Sequence, residues 1–336
     1  MTTSVAPPTA PPVTPEPIMR LASGFMAAKH LFAANELGLF EALADAPTTV
    51  DGLAARTGLT RRAARISADA MVALELLERD GDTYRNSAVA AQFLAGSGPA
   101  DLRPFLRFWD RISYPAWQKL ASALATGPST DIFDLDDESQ AIASAGIEAV
   151  LAGPSRALPH VHDFAGHQRL LDVGGGTGSW SIAVAEQNPH LKATVLELPV
   201  VAGFARERIA AAGLADRLDA VAGDALTGPL PEGYDVVLAA NLVHYWSPEQ
   251  NSTFLRRARS AVEAGATLLL ADFWTDATHT SPVHAALMAG EFAVHMVNGD
   301  VYSAEEAQQW LAVTDWRYIE TVALAGPQSL IVAEAM

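Results

Sequence analysis

The sequence predicts an α/β protein in which a doubly wound sheet domain follows a mostly helical N-terminal region. Three observations carry this. From about residue 166 onward, short apolar strand runs alternate with helical stretches, the pattern of a largely parallel sheet with helices on both faces. A glycine-rich turn, Gly174-Gly175-Gly176-Thr177-Gly178, joins the first of those strands to a helix. Before residue 100 the apolar spacing is helical and is interrupted by one hairpin.

Four segments follow from the chain order. Residues 1–17 form a proline-rich tail, with six prolines in Ala6–Pro17, read as extended or disordered. Residues 18–100 begin with Met19–Phe40, where Leu21, Phe25, Met26, Leu31, Phe32 and Leu37 recur at helical spacing. A short helix opens at Thr49-Val50-Asp51, the Thr57–Thr60 turn leads into a longer one, and Leu76–Arg85 reads as a hairpin with Asp80-Gly81 at its tip. Helix, turn, helix and hairpin together suggest a winged helix. Residues 101–165 are helical, rich in large side chains and broken at Gly127-Pro128. Residues 166–336 hold the candidate strands Arg169–Val173, Ala193–Glu197, Leu218–Ala222, Asp235–Ala239 and Ala266–Asp272, then a closing pair, Trp316–Val322 and Gln328–Glu334.

Composition bounds the function. Half of the 336 residues are apolar, ample for a core. With 22 Lys and Arg against 39 Asp and Glu the net charge is −17, which repels nucleic acid from most of the surface. No cysteine is present, so disulfides, thiolate metal sites and a cysteine nucleophile are excluded, and a reducing cytoplasm suits the chain. No run of about 18 apolar residues marks a membrane span, and no basic-then-apolar leader marks a secretory signal. The histidines show no ligand spacing for a metal.

The glycine turn selects its ligand. A strand, a glycine turn and a helix bring backbone amides to a bound nucleotide. A dinucleotide fingerprint needs a third glycine where this chain has Ser179 or Ser181, and a phosphate loop needs Lys where Ser179 follows Gly178. Asp172, two residues before the first glycine, is unwelcome to a pyrophosphate and welcome to a cation. S-adenosylmethionine carries an ammonium and a sulfonium and no phosphate. Glu197, 25 residues after Asp172 at the end of the second strand, is placed to accept from ribose hydroxyls. Asp224 in Gly223-Asp224-Ala225 is placed to accept from the adenine amino group.

These residues resemble the class I O-methyltransferases that include plant caffeic acid, hydroxyindole and bacterial natural-product enzymes. The resemblance implies a winged-helix dimerisation domain, a homodimer, a Rossmann-like catalytic domain and S-adenosylmethionine as cofactor. It places the cofactor on Asp172, Gly174, Gly175, Gly176, Gly178, Glu197, Leu198, Gly223, Asp224, Ala225, Ala240 and Asn241. The stretch Asn241–Ser247 resembles the family's Leu-His-Asp-Trp-Ser segment, which makes His244 the catalytic base with Asp272 beside it. The chain departs from the plant pattern at Tyr245, where the family has Asp, at Ala240, where plant members have Lys, and at Val301, where they have Glu.

A phenol is mostly neutral at pH 7, and a positioned imidazole can take its proton during attack. Phe108, Trp109, Trp274, Met288, Glu291, Phe292, His295 and Met296 are the candidate walls of a small-molecule acceptor pocket. The expected reaction is therefore O-methylation of a phenolic secondary metabolite. Carbon or nitrogen methylation on the same scaffold is the alternative. A DNA-binding regulator built on Arg61, Arg62 and Arg65 is a third, opposed by the neighbouring acids.

Overall fold

The computed structural model describes residues 13–96, 100–129 and 131–336. Two compact units divide at Leu106/Arg107. In the first, α1 (Glu16–Ser23) and α2 (Phe25–Glu36) are followed by β1 (Thr48–Thr49), α3 (Val50–Thr57), α4 (Arg61–Ala73), β2 (Leu77–Asp80), β3 (Thr83–Asn86), α5 (Ala88–Phe93) and α6 (Arg103–Phe108), which runs across the division. Thr49, Thr60 and Ser87 each start a helix by accepting from an amide three residues on. The strands pair antiparallel in the order β1-β3-β2. Leu39, Phe40, Leu53, Ala64, Met71, Leu77 and Tyr84 are buried in this unit.

Three expectations need correction here. The tail cannot extend to residue 17, because α1 begins at Glu16, with Pro17 in its first turn where a missing N–H costs nothing; residues 1–12 lie outside the described part. Met19–Phe40 is two helices separated at Gly24, and of its apolar stripe only Phe32 is buried, while Leu21, Phe25, Met26 and Leu37 are exposed. The hairpin stands, but Asp80 pairs with Thr83, so Gly81-Asp82 forms its tip, with Gly81 at φ +60°.

The second unit continues through a π-helical turn (Trp109–Ser113), α7 (Tyr114–Trp117), α8 (Leu120–Thr126) and the long α9 (Asp137–Val161), capped by Asp136. Then come β4 (Arg169–Val173), α10 (Ser179–Gln187), β5 (Lys192–Glu197), α11 (Pro199–Ala211), β6 (Leu218–Ala222), β7 (Tyr234–Ala240), α12 (Pro248–Ser260), β8 (Val262–Asp272), α13 (Val283–His295), α14 (Ala304–Ala312), β9 (Trp316–Ala323) and β10 (Ser329–Ala335). The seven strands lie in the order β6-β5-β4-β7-β8-β10-β9. The strands β4 to β8 are parallel, and β10 runs antiparallel to both of its neighbours.

Both faces of this sheet are buried, which is why its strands read as continuous apolar runs. Successive residues alternate between two cores. Leu171, Val173, Val237, Ala239, Leu268 and Leu270 face one, and Leu170, Val236, Leu238, Leu269 and Ala271 face the other. The chain winds outward from β4 to β6 and returns beside β4 with β7. That reversal opens a crevice at the carboxyl ends of β4 and β7, where open α/β sheets bind ligands. Among the described residues no helix is long and apolar enough to cross a membrane, and no group of three or more His, Asp or Glu is placed to hold a metal ion.

Candidate active site

The glycine turn leaves β4 at the crevice. Gly174 N–H donates to Leu196 O (2.8 Å) and Gly178 N–H to Gly175 O (2.9 Å), which folds the turn back over the strand ends. Gly176 has φ +56°, and a Cβ there would meet no atom within 4 Å, so its backbone borders open space. Its N–H donates to Glu197 Oε2 (3.1 Å), tying the turn to the end of β5. Helix α10 starts at Gly178 with no side-chain cap, which leaves its first amides without a side-chain partner.

Two acids flank the turn. Asp172 is fully buried; its Oδ2 accepts from Ser181 Oγ (2.7 Å) and its Oδ1 has no partner. Burial pushes its carboxyl up to about 7, against the Ser181 hydrogen bonds and with help from the charge of Glu197. Gly175 is required beside it, because a Cβ at that position would stand 2.6 Å from the Asp172 carboxyl. Burial also raises Glu197, opposed by the amides of Leu198 and Gly176. Asn241 follows β7 in the left-handed region at φ +53°, a strained conformation for a side-chain-bearing residue, and its buried Oδ1 is unpartnered.

The remaining expected cofactor residues are more ordinary. Asp224 is exposed and closes its own turn, accepting from Leu226 N–H (2.8 Å) and Thr227 Oγ (2.7 Å), bonds that hold it below the usual carboxylate range. Gly223 N–H bonds Glu197 O, Leu198 N–H bonds the Glu197 carboxylate, and Ala225 O accepts from Arg257. Ala240 is buried as the last residue of β7.

S-adenosylmethionine fits these residues. Asp172 and Asn241 present unpartnered buried oxygens, Glu197 retains acceptor capacity beyond its two amide bonds, and Gly176 borders open space. The basic side chain that reaches the turn, Arg208, is neutralised by Glu148. Such a site suits a ligand with cationic groups and hydroxyls.

Across the crevice, His244 sits in a short 3-10 turn (Val243–Tyr245) directly after β7. It is 5% exposed, and its Nδ1 lies 2.8 Å from Oδ1 of Asp272, the 1%-exposed last residue of β8. Asp272 Oδ1 also accepts from Phe273 N–H (2.8 Å), while Oδ2 has no partner. A carboxylate can only accept, so this contact assigns the proton to Nδ1 and leaves Nε2 as the imidazole's basic atom. The ring stacks on Phe292 at 4.1 Å and 6°, with Tyr245 tilted against it at 4.5 Å. Asn251 of α12 holds the turn by donating to Val243 O (3.0 Å) and Trp246 O (3.3 Å). The Tyr245 hydroxyl is pushed up to about 12 by burial and by the charges of Asp272, Glu197 and Asp131, so it is neutral at physiological pH.

Met288, Phe292 and Met296 gather with Ile132, Val301, Tyr245 and Phe273 into one apolar cluster beside His244. Glu291 and His295 are buried on the same helix with Oε1 and Nε2 3.2 Å apart. Glu291 accepts from Ser113 Oγ (2.5 Å) and from Trp117 Nε1, anchoring α13 to the π-helical turn and α7. Phe108 and Trp109 pair edge to face with each other. Trp274 does not join the apolar cluster. It packs into the sheet core with Tyr302 and Trp310, because the residue after Phe273 points to the opposite side of the extended chain.

Sequence reasoning missed Ser181, Asn251, Ser113, Trp117, Glu148 and Arg208. Glu148 carried a signal, as the single acid in the small and apolar stretch Ala141–Val161.

Comparison with known proteins agrees with this geometry. Residues 132–316 match the O-methyltransferase domain, and residues 19–96 match the O-methyltransferase dimerisation domain. The chain is 35% identical over 315 residues to 3-hydroxy-5-methyl-1-naphthoate 3-O-methyltransferase of Streptomyces sahachiroi, covering 91% of each protein. It is 34% identical over 291 residues to the N,N-dimethyltransferase OxyT of Streptomyces rimosus, covering 83% of this chain and 84% of that one. The solved structure of PigF with SAH superposes with a TM-score of 0.83 at 27% identity, covering 96% of this chain and all of that one. An acid-flanked glycine turn, a buried histidine–aspartate pair and family matches along both units agree, and the chain belongs to the S-adenosylmethionine-dependent O-methyltransferases.

Proposed function

We propose that this enzyme methylates a phenolic hydroxyl of a small aromatic acceptor, with His244 as general base and Asp272 as its partner. The observation that carries the reading is the buried His244–Asp272 pair at the carboxyl edge of the sheet, its Nε2 unengaged by the contact to Asp272. The hydroxylated naphthoate acted on by the Streptomyces sahachiroi relative supports an aromatic acceptor.

S-adenosylmethionine, when bound, supplies an electrophilic methyl group. Asp172, Glu197, Asn241 and the turn amides are the residues that would hold it. His244 Nε2 takes the phenol proton as the acceptor oxygen becomes nucleophilic, so a free phenoxide never has to form before attack. Asp272 fixes the tautomer and stabilises the imidazolium that results. The parallel Phe292 ring holds the imidazole plane, and the apolar cluster around it excludes water that would compete for the proton.

The test incubates the protein with methyl-labelled cofactor and a panel of phenols, amines and carbon acids, then locates the label by mass spectrometry. Label on a phenolic oxygen is the expected result. His244→Ala should bind S-adenosylhomocysteine as the wild type does and lose about a hundredfold or more in turnover; undiminished turnover overturns the base. The N,N-dimethyltransferase relative favours a second reading, transfer to nitrogen. Under it, label appears on an amine and His244→Ala stays active, because a neutral amine needs no base before attack.

We further propose a homodimer formed through residues 18–100, supported by the dimerisation-domain match and by the exposed Ile18, Met19, Leu21, Phe25 and Met26. The order helix, helix, hairpin supports a winged helix there. Residues 101–165 are proposed to contribute to the acceptor pocket and residues 166–336 to bind the cofactor. We assign no nucleic-acid role to the first unit, since Arg61 pairs with Asp51 and Arg65 with Asp69.

A further inference from the structure

Three of the helices around the sheet begin with a capping side chain, and α10, α11 and α13 do not. Asp136, Ser247 and Ser303 start α9, α12 and α14 in this way. Helix α10, which the cofactor turn feeds, has only Gly178 at φ +85°. A capping side chain would occupy the very amides that a ligand needs. The turn must therefore be held by contacts that leave those amides free.

Such contacts exist. Glu148, in the middle of α9, accepts from Thr177 Oγ at Oε1 (2.6 Å) and from Ser179 Oγ at Oε2 (2.5 Å). Arg208 of α11 donates to Thr177 Oγ (2.6 Å) and pairs with Glu148 Oε2. Thr177, Glu148 and Arg208 close a ring of polar contacts, and Ser179, the first residue of α10, is joined to it. The contacts from Glu148 and Arg208 to the turn all use side-chain hydroxyls and none of its amides. The carboxylate also lies at the positive end of α10, where a negative charge is favourable. Glu148 is the one acid in Ala141–Val161, so its place here does not follow from a generally acidic helix face.

We propose that Glu148, locked by Arg208, is a positioning residue for cofactor binding: it clamps Thr177 and Ser179 from outside the site and holds the glycine turn in its binding shape. Order imposed in advance spares the ligand the entropy of arranging the turn itself. The contribution is to affinity for the adenosyl cofactor and not to proton transfer at His244. The proposal rests on the cofactor and is independent of which acceptor the enzyme uses.

The test measures S-adenosylhomocysteine binding by calorimetry on the full chain, together with KM for S-adenosylmethionine, kcat at saturating cofactor, and Tm. Wild-type binding establishes the cofactor site on its own. Glu148→Ala is expected to weaken S-adenosylhomocysteine about tenfold or more and to raise KM in parallel, with kcat within about twofold of wild type. Glu148→Gln, which keeps an oxygen and an amide for the two hydroxyls, is expected to recover to within about threefold of wild type. A Glu148→Ala variant with a lowered Tm and unchanged affinity overturns the proposal, as does a Gln variant no better than Ala. Should Glu148→Ala not fold, Ser179→Ala decides: weakening of about threefold or more supports the clamp, and unchanged affinity refutes it.

Discussion

Replacing Asp272 by Asn separates charge from shape in the proposed base. Oδ1 of Asp272 accepts both from His244 Nδ1 and from Phe273 N–H, each at 2.8 Å, while Oδ2 has no partner. An asparagine with its oxygen in the Oδ1 position keeps both bonds and puts its amide where the idle oxygen was. The fold and the imidazole tautomer are then preserved, and the negative charge alone is lost. A charge-assisted hydrogen bond exceeds a neutral one by about 1 kcal/mol, which sets the lower bound. Coulomb attraction between a carboxylate and an imidazolium about 4 Å apart, at an effective dielectric of 20, is about 4 kcal/mol and sets the upper bound. At 1.36 kcal/mol per tenfold, kcat/KM with a phenol should fall between about fivefold and about a thousandfold. The assay follows S-adenosylhomocysteine release at saturating cofactor, with cofactor affinity measured by calorimetry. Affinity should be unchanged. A variant with wild-type kcat/KM would show that no positive charge develops on His244 during turnover, and the general-base reading would fail with it.

Two further predictions concern the turn. Gly175→Ala places a Cβ 2.6 Å from the Asp172 carboxyl, which is buried and cannot retreat, so S-adenosylhomocysteine affinity should drop by about tenfold or more in calorimetry. Asp172, raised to about 7, takes up a proton on folding between the ordinary carboxylate range and neutrality. Its contribution to stability is complete below about pH 4 and is lost as pH rises through about 7, a change of order 4 kcal/mol. Chemical denaturation at a series of pH values should show the cofactor-free wild type losing stability over that window relative to Asp172→Asn. A constant difference between the two would refute the assignment. Carboxylates held low, such as Asp69, Asp101 and Asp224, act only as pH falls below their ordinary range and do not blur this comparison.

The sheet was legible in the sequence because its strands are buried on both faces. A run such as Leu170–Val173 or Leu268–Ala271 has no polar alternation to confuse it, and each run ends near an acid at the carboxyl edge. For the same reason Asp172, Glu197, His244 and Asp272 could be placed by counting from strand ends. The N-terminal helices were harder. Leu21, Phe25 and Met26 have helical spacing and are nonetheless exposed, since periodicity identifies a helix but not the surface that covers it. Trp274 shows a related limit: an aromatic next to the site can face either side of an extended chain, and no local signal says which. Ser181 and Asn251 were invisible because serine and asparagine are common, and their partners are brought near only by folding.

The partition of the crevice has a consequence for how such a protein can change. Of the residues proposed to hold the cofactor, Asp172, Glu197 and the glycine turn belong to β4, β5 and the loop after β4 and Asn241 follows β7, whereas the ring beneath His244 and the Glu291–His295 pair belong to α13, a helix outside the sheet. Under the proposed assignment, substitutions along α13 are expected to alter what is methylated while leaving the methyl donor's seat in place. A laboratory campaign to retarget the enzyme gains a clear division of labour from this. Libraries should diversify Met288, Glu291, His295 and Met296 while leaving Asp172–Ser181 untouched, and retained S-adenosylhomocysteine binding can serve as the first screen for variants worth assaying.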